Sequence, residues 1–386
     1  MIKISKKENC CGCGACLNIC GNSSISMQFD EEGFAYPLVN DETCIDCNKC
    51  NLVCPLKQTK QIESHTNMPE CYVAYAKDSK RIFEGSAGGI FGVLCDTFLQ
   101  EGGIVYGAYL NENFLVRHGR AASIEEAKGF RKSKYLQSDI GKIYSHVKED
   151  LQGGRKVLFS GTPCQIAGLY SFLGNNYLHL ITVDIVCRGV PSKMVFDKYI
   201  ETAERKYGKK VLDICWRDKR KGWGPNRIAL KFEDGTEVIT ESFKNSMQQG
   251  FLINLYLRPS CYECKFAKIP RVGDITLGDF FGYEGKIKAL NDNQGLSMML
   301  ISSEKGKDAV SRILEYIVFE QMDLEYCISK SYHLSHSPDK NKDRDIFLAK
   351  LIEGEEYRHL CNKYIYGGIR KESSDYALKD FIQVIS

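Results

Sequence analysis

Two cysteine runs near the start of the chain repeat one spacing, Cys10-x2-Cys13-x2-Cys16-x3-Cys20 and Cys44-x2-Cys47-x2-Cys50-x3-Cys54-Pro55. Three thiolates two residues apart reach three irons of one cube only if their loop coils tightly around it. The fourth cysteine lies one helical turn further on, aimed at the other half. The duplication reads as ligation of two [4Fe–4S] clusters, with the last cysteine of each run serving the other cluster. Cys10, Cys13, Cys16 and Cys54 are assigned to one cluster, and Cys44, Cys47, Cys50 and Cys20 to the second. Gly12, Gly14 and Ala15 keep bulk away from the first loop, and glycine takes positive φ without a steric penalty. Zinc sites use short two-cysteine knuckles in pairs, which a three-plus-one pattern with crossover does not supply. Cys20 is followed by Gly21 rather than proline, and Cys11 lies outside the register and is read as a non-ligand.

Between the runs, Ile25–Phe29 and Ala35–Val39 alternate as short strands around Asp30-Glu31-Glu32-Gly33. Residues 1–60 therefore read as a ferredoxin-like domain with two [4Fe–4S] clusters, and polar Gln58–Asn67 reads as a linker. The chain has 386 residues and 18 cysteines, nine of them within the first 54 positions. Lys and Arg total 52 against 49 Asp and Glu, a net charge of +3 that gives no electrostatic case for nucleic acid. No apolar run approaches the ~20 residues of a membrane span, and Met1–Cys10 is basic and polar rather than signal-like. A cytoplasmic location is expected, where clustered cysteines hold metal more readily than they form disulfides.

From Glu70 onward strands and helices alternate. Strands are expected at Tyr72–Ala76, Ile104–Leu110, Lys156–Phe159, His179–Val186, Val211–Trp216, Arg227–Phe232, Glu237–Thr240, Ile275–Gly278 and Ser297–Ile301. Helices are expected at Gly88–Gln100, Ile140–Leu151, Pro163–Leu173, Lys193–Tyr207, Met247–Leu257 and Lys305–Tyr316. The fold class is α+β: the head, then an α/β body with a mixed sheet. No strand in the body runs into a GxGxxG turn, which disfavours a nicotinamide cofactor bound in the usual dinucleotide crevice.

Four body cysteines sit at places where elements end. Cys164 follows a strand in Gly161-Thr162-Pro163-Cys164-Gln165, Cys187 ends the next strand, and Cys261 and Cys264 form a CxxC after a helix. If the two strands are neighbours, their exits share a sheet edge and the CxxC can close a four-thiolate cage. A first-turn helical position should also depress the Cys164 pKa. Spacing alone leaves this level with four buried thiols acting as small hydrophobes. Cys71, Cys95, Cys215, Cys327 and Cys361 are assigned to packing.

Six short motifs then occur in order: Glu84-Gly85-Ser86-Ala87-Gly88-Gly89, Lys132–Ser138, Gly161–Gln165, Cys187–Ser192, the CxxC at Cys261, and Gly278-Asp279-Phe280. Together they resemble the coenzyme F420 hydrogenase/dehydrogenase beta subunit family, over about Glu70 to Tyr283. The resemblance implies a flavin-binding body that holds FAD and its own [4Fe–4S] cluster, with Cys164, Cys187, Cys261 and Cys264 as ligands. It further implies flavin contacts from Ser86, Gly88, Gly89, Lys134, Thr162 and Asp279. Each has a plainer alternative: a tightly packed helix cap for the glycine segment, a surface lysine, a helix cap for Thr162, a loop-orienting carboxylate for Asp279. Arg188 stands where many relatives carry histidine. His333 and His336 are lone histidines of a polar segment, either surface residues or part of a substrate pocket.

The resulting domain reading is the head at 1–60, an N-terminal part of the body at 70–175, a C-terminal part at 176–340 and a helical extension at 341–386. The expected function is an iron–sulfur flavoprotein oxidoreductase passing electrons between [4Fe–4S] clusters and FAD. Its substrate is a small organic molecule, a coenzyme F420-like deazaflavin or another reducible metabolite; the alternative is a subunit that only relays electrons between proteins. The expected partner is a redox protein such as ferredoxin or a hydrogenase/dehydrogenase subunit. No catalytic residue is assigned.

Overall fold

A computed structural model describes residues 1–57, 68–224, 226–287 and 293–367. The linker at 58–67 and the end of the C-terminal extension, 368–386, lie outside the described residues.

The head is built on a short antiparallel hairpin, β1 (Ile25–Phe29) and β2 (Ala35–Val39), flanked by helices Ala15–Ile19 and Lys49–Leu52. The two helices touch each other, so the duplicated cysteine runs face one another across a shared apolar centre of Ile2, Cys16, Ile25, Cys50 and Cys54. Gly12 and Gly14 have φ of +67° and +77°. The tight coil of the first loop uses the left-handed region, where a side chain costs energy and glycine does not.

The body contains β3 (Glu70–Ala76), β4 (Ile104–Leu110), β5 (Val116–Ala121), β6 (Val157–Gly161), β7 (Leu180–Ile185), β8 (Val211–Cys215), β9 (Arg227–Phe232), β10 (Glu237–Glu241), β11 (Ile275–Asp279), β12 (Ser297–Ile301) and β13 (Ile317–Met322). Eight of them form one mixed sheet in the order β13-β3-β12-β11-β7-β6-β4-β5, and β10-β9-β8 form a separate antiparallel sheet. Within the large sheet β4, β6, β7 and β11 are mutually parallel. Gly161 pairs with Asp184 and Leu277 with Ile185, so these strands end on one edge. Open sheets of this kind bind ligands in the crevice beyond the carboxyl ends of their strands.

Local signals account for the well-defined helices. Pro163–Leu173 begins with proline at its first position behind a Thr162–Gln165 capping box and ends at Gly174, φ +68°. Lys193–Tyr207 is capped by the Ser192 hydroxyl and stops at Gly208, φ +65°. Two expected helices are shorter than their apolar patterns. The Met247–Leu257 pattern forms a helix only over Ser246–Leu252, because Asn254 adopts φ +57°. Leu255, Tyr256 and Leu257, all fully buried, then cross the core outside any helix, with Leu257 bridged to Pro191. The Lys305–Tyr316 pattern is helical over Glu304–Ser311 and continues as a single turn at Leu314–Tyr316 before β13.

The head is docked on the body through polar and apolar contacts. Cys13 and Ala15 join a core with Tyr144, Ile166, Ala167 and Leu169. The Tyr144 hydroxyl lies 2.7 Å from the Cys13 carbonyl and 2.8 Å from that of Gln165. Gln137 donates to the Cys11 carbonyl at 2.8 Å, Asn18 to the Gly141 carbonyl at 2.8 Å, and Arg344 pairs with Glu32 at 2.7 Å. Gly168 makes a close approach to the head. A Cβ there would stand 2.9 Å from the Cys13 Cβ and 3.0 Å from its sulfur.

Candidate redox centres and an adjoining cationic crevice

Three sets of four thiols line three separate cavities. Cys10, Cys13, Cys16 and Cys54 surround one within the head, and Cys20, Cys44, Cys47 and Cys50 a second. Both sets follow the crossover that the spacing implied. Cys47 is exposed and Cys50 buried, which puts the second set toward the surface and the first toward the body.

The third cavity lies at the sheet edge. Cys164 follows β6 on the Pro163–Leu173 helix and Cys187 follows β7, the parallel neighbour of β6. The turn Pro259–Cys261 then brings Cys261 and Cys264 to the same cavity. Among the described residues, no three His, Cys, Asp or Glu groups converge closely enough to hold a single metal ion.

The electrostatics of the third set point the same way. Burial and the neighbouring thiols raise the Cys187 pKa, and burial pushes Cys261 up to about 12. Cys164 is raised by its hydrogen bond with Cys11 and by burial, so the helix-start depression expected for it is outweighed. Four thiols in one dry cavity oppose each other's ionisation, and a metal centre supplies the positive charge that reverses this. In the head, burial and the charges of Cys10 and Cys54 push Cys16 up to about 12 in the same manner.

Cys11 lies between two of the sets. It lines both the inner head cavity and the body cavity. Cys71, Cys95, Cys327 and Cys361 are buried in the body, while half-buried Cys215 has its sulfur 3.6 Å from the Lys132 ammonium. His333 borders the body cavity beside Arg188, whose guanidinium is held by Asn254 at 3.1 Å and by the Leu252 carbonyl. His336 stacks on Tyr332.

The residues expected to touch flavin divide into three groups. Ser86 and Asp279 come together around Arg217, and Lys134 lies next to Ser133, with its ammonium on the Gly129 and Arg131 carbonyls. The Ser86 hydroxyl is 2.8 Å from that of Ser133, and its carbonyl accepts from Trp223 at 3.1 Å and Arg217 at 3.4 Å. Asp279 pairs with buried Arg217 at 3.0 Å. Gly88 and Gly89 face the protein's own backbone: a Cβ on Gly88 would stand 2.4 Å from the Ala74 carbonyl, and one on Gly89 2.6 Å from that of Arg81. Thr162 caps its helix and lies 3.2 Å from the Cys164 sulfur, which ties it to the body cavity.

Around Ser86 the fold gathers Arg217 and Lys219, with Lys132 and Lys134 on the adjoining segment that Ser133 ties to Ser86. Lys219 donates to the carbonyls of Ile82, at 2.6 Å, and Ala87, at 2.5 Å, and Lys134 to those of Gly129 and Arg131 at 2.6 and 2.7 Å. Burial pushes the Lys134 ammonium down to about 7, with Lys132 acting in the same direction. Burial, Arg217 and Lys132 push Lys219 down to about 7 as well. Burial raises the Asp279 pKa although Arg217 and Lys219 oppose it. At the mouth, Trp223 and Phe281 stack at 4.2 Å with planes 6° apart, and the Arg217 guanidinium lies within 6.0 Å of both rings. Such a cluster of mutually repelling cations under an aromatic pair matches the demands of a ligand that carries phosphates and a flat ring. The basic run Arg217–Lys221 beside both tryptophans of the chain, Trp216 and Trp223, is the sequence signal for it.

The segment Lys132–Ser138 connects the crevice to the thiol sets. Ser133 and Lys134 belong to the crevice, Gln137 binds the Cys11 carbonyl, and Gln165 donates to Ser138 at 3.0 Å. Lys134 and Gln137 are three positions apart, which limits their Cα separation to about 11 Å.

Residues 9–57 match the family model of the 4Fe-4S dicluster domain. Residues 154–325 match the family model for the C terminus of the coenzyme F420 hydrogenase/dehydrogenase beta subunit. The chain joins these two modules. It is an iron–sulfur electron-transfer protein related to that beta subunit. A search of curated proteins gives no match. Among solved structures, a chain of the F420-reducing [NiFe] hydrogenase complex from Methanosarcina barkeri is similar with TM-score 0.48 and 16% identity, over 76% of this chain and 96% of that one. No described helix is long and apolar enough to cross a membrane.

Proposed function

We propose that the chain is an iron–sulfur flavoprotein oxidoreductase. Electrons move between a redox partner protein and the outer head set, then through the inner head set and the body set to FAD in the cationic crevice. Cys10, Cys13, Cys16 and Cys54, then Cys20, Cys44, Cys47 and Cys50, and then Cys164, Cys187, Cys261 and Cys264 would hold three [4Fe–4S] clusters. Lys134, Lys219 and Arg217 would neutralise the FAD pyrophosphate, and Asp279 would orient Arg217. Bound FAD supplies the exchange between single electrons and a hydride or electron pair. The substrate class is a small planar molecule such as a coenzyme F420-like deazaflavin, which the exposed Trp223–Phe281 face suits.

The observation that supports the reading is that Cys11 lines both the inner head cavity and the body cavity, so that the two thiol sets adjoin. A relay subunit without a substrate of its own shares that path but has no use for an open aromatic face beside the flavin. Protein purified without oxygen is expected to hold about twelve irons, three cubes of four, and one flavin per chain. About eight irons would remove the body cluster, and absence of flavin would remove the oxidoreductase reading while leaving the relay.

A further inference from the structure

Arg258 is fully buried where the head meets the body. Desolvating a guanidinium is expensive unless its donors and its charge are both answered. Its Nε donates to the Cys10 carbonyl at 2.8 Å, and its terminal nitrogens to Gln137 Oε1 at 3.0 Å and the Ala35 carbonyl at 3.0 Å. One terminal nitrogen also reaches the Cys10 sulfur at 3.6 Å, and the guanidinium lies 4.3 Å from the centre of the Tyr36 ring. These acceptors are carbonyls, an amide and a thiol. Burial pulls the guanidinium pKa down, yet Cys10, Tyr36, Cys11 and Cys261 together hold it above its ordinary value. Its hydrogen-bond acceptors come from both sides of the junction, the Cys10 and Ala35 carbonyls and the Cys10 sulfur from the head and Gln137 from the body. The Arg258 carbonyl accepts from the Cys261 amide at 2.9 Å, so the same residue fixes the start of the body CxxC.

Neutral donors lie on sulfurs of the other two sets, the Ile2 amide 3.2 Å from Cys50 and the Val190 amide 3.4 Å from Cys261, and the Arg258 charge also reaches Cys164 and Cys261 of the body set, while its hydrogen bond goes to the Cys10 sulfur. Hydrogen bonds and charges at ligand sulfurs set cluster potentials, and a cationic donor outweighs a neutral one. We propose that Arg258 is a positioning residue that raises the reduction potential of the inner head site, so that electrons collect next to the body set. This rests on the iron–sulfur reading above. The step is a one-electron transfer: the outer site loses one electron, the inner site gains it, and no bond to hydrogen is made or broken. The inner site becomes more negative by one charge, which faces the fixed positive charge of Arg258.

The test is a redox titration of the full chain, followed by electron paramagnetic resonance, with Arg258→Gln and Arg258→Lys beside the unaltered protein. Arg258→Gln is expected to disfavour reduction of one head cluster about tenfold or more, a downward shift of about 59 mV per factor of ten. Arg258→Lys keeps the charge and is expected to recover most of that shift. Unchanged potentials in Arg258→Gln with full iron would overturn the proposal. So would an equal drop in both variants, which would mean that packing and not charge is at work. If Arg258→Gln loses iron, Arg258→Lys decides alone: a retained potential supports the charge role, and a lowered one ends it. Lack of iron in the unaltered chain would instead bring down the cluster reading itself.

Discussion

Binding of FAD to the flavin-free chain is expected to draw protons out of solution. The perturbation is the arrival of a pyrophosphate among Lys132, Lys134, Arg217 and Lys219. Lys134 and Lys219 are both lowered to about 7 in the flavin-free fold, mainly by burial. At pH 8 each is then about nine-tenths uncharged. A nearby anion favours the ammonium and raises both pKa values. If both lysines end fully charged, uptake approaches about 1.8 protons per FAD, twice about 0.9, and if only one does, about 0.9. The sign also fixes the pH dependence: affinity should be greatest near and below pH 7 and should fall as pH rises above it. In the flavin-free chain the unfolded state binds more protons between about 7 and the ordinary lysine value of 10.5. On this contribution stability therefore rises with pH across that window. Calorimetric titration at pH 8 in buffers of different ionisation enthalpy measures the uptake directly. Lys134→Gln should remove about half of it and loosen the flavin. Proton release, or no exchange at all with FAD bound, would refute the assignment of the crevice to the pyrophosphate.

Two further outcomes are expected from single substitutions. Cys264→Ser should lower iron content while sparing the head clusters, whereas Cys11→Ala should leave iron unchanged; full iron in Cys264→Ser would show that this CxxC does not ligate. Gly168→Ala should destabilise the chain by about 1–3 kcal/mol, because its Cβ would meet the buried Cys13 side chain at 2.9 and 3.0 Å, and Cys13 as the proposed cluster ligand would be held in place. An unchanged denaturant midpoint would show that the head can shift on the body freely.

What was legible in the sequence follows from how far each signal reaches along the chain. The head is local: each run places three cysteines of one set in a single loop, and its hairpin ends where the alternation does, at Ile25–Phe29 and Ala35–Val39. Pro163–Leu173 and Lys193–Tyr207 have the expected bounds because caps at both ends are written in adjacent residues. β5, Val-Arg-His-Gly-Arg-Ala, gives no strand signal because its inward positions are Val116, His118 and Ala121, too polar and irregular to read as alternation. The convergence of Cys164 with Cys187 depends on β6 and β7 being parallel neighbours in register, a tertiary fact that no spacing contains. The same holds more strongly for the buried cations. Cysteines in a metal-binding pattern lie close in sequence because one loop must wrap one cluster. A cation that answers a cluster's charge needs only to be near in space, and Arg258 reaches Cys10 across 248 positions. Arg217, Lys219 and Arg258 look like ordinary surface residues until the fold buries them. Their interest lies in burial itself, a charge taken out of water among carbonyls, amides and, for Arg217, one carboxylate, which is visible only in three dimensions.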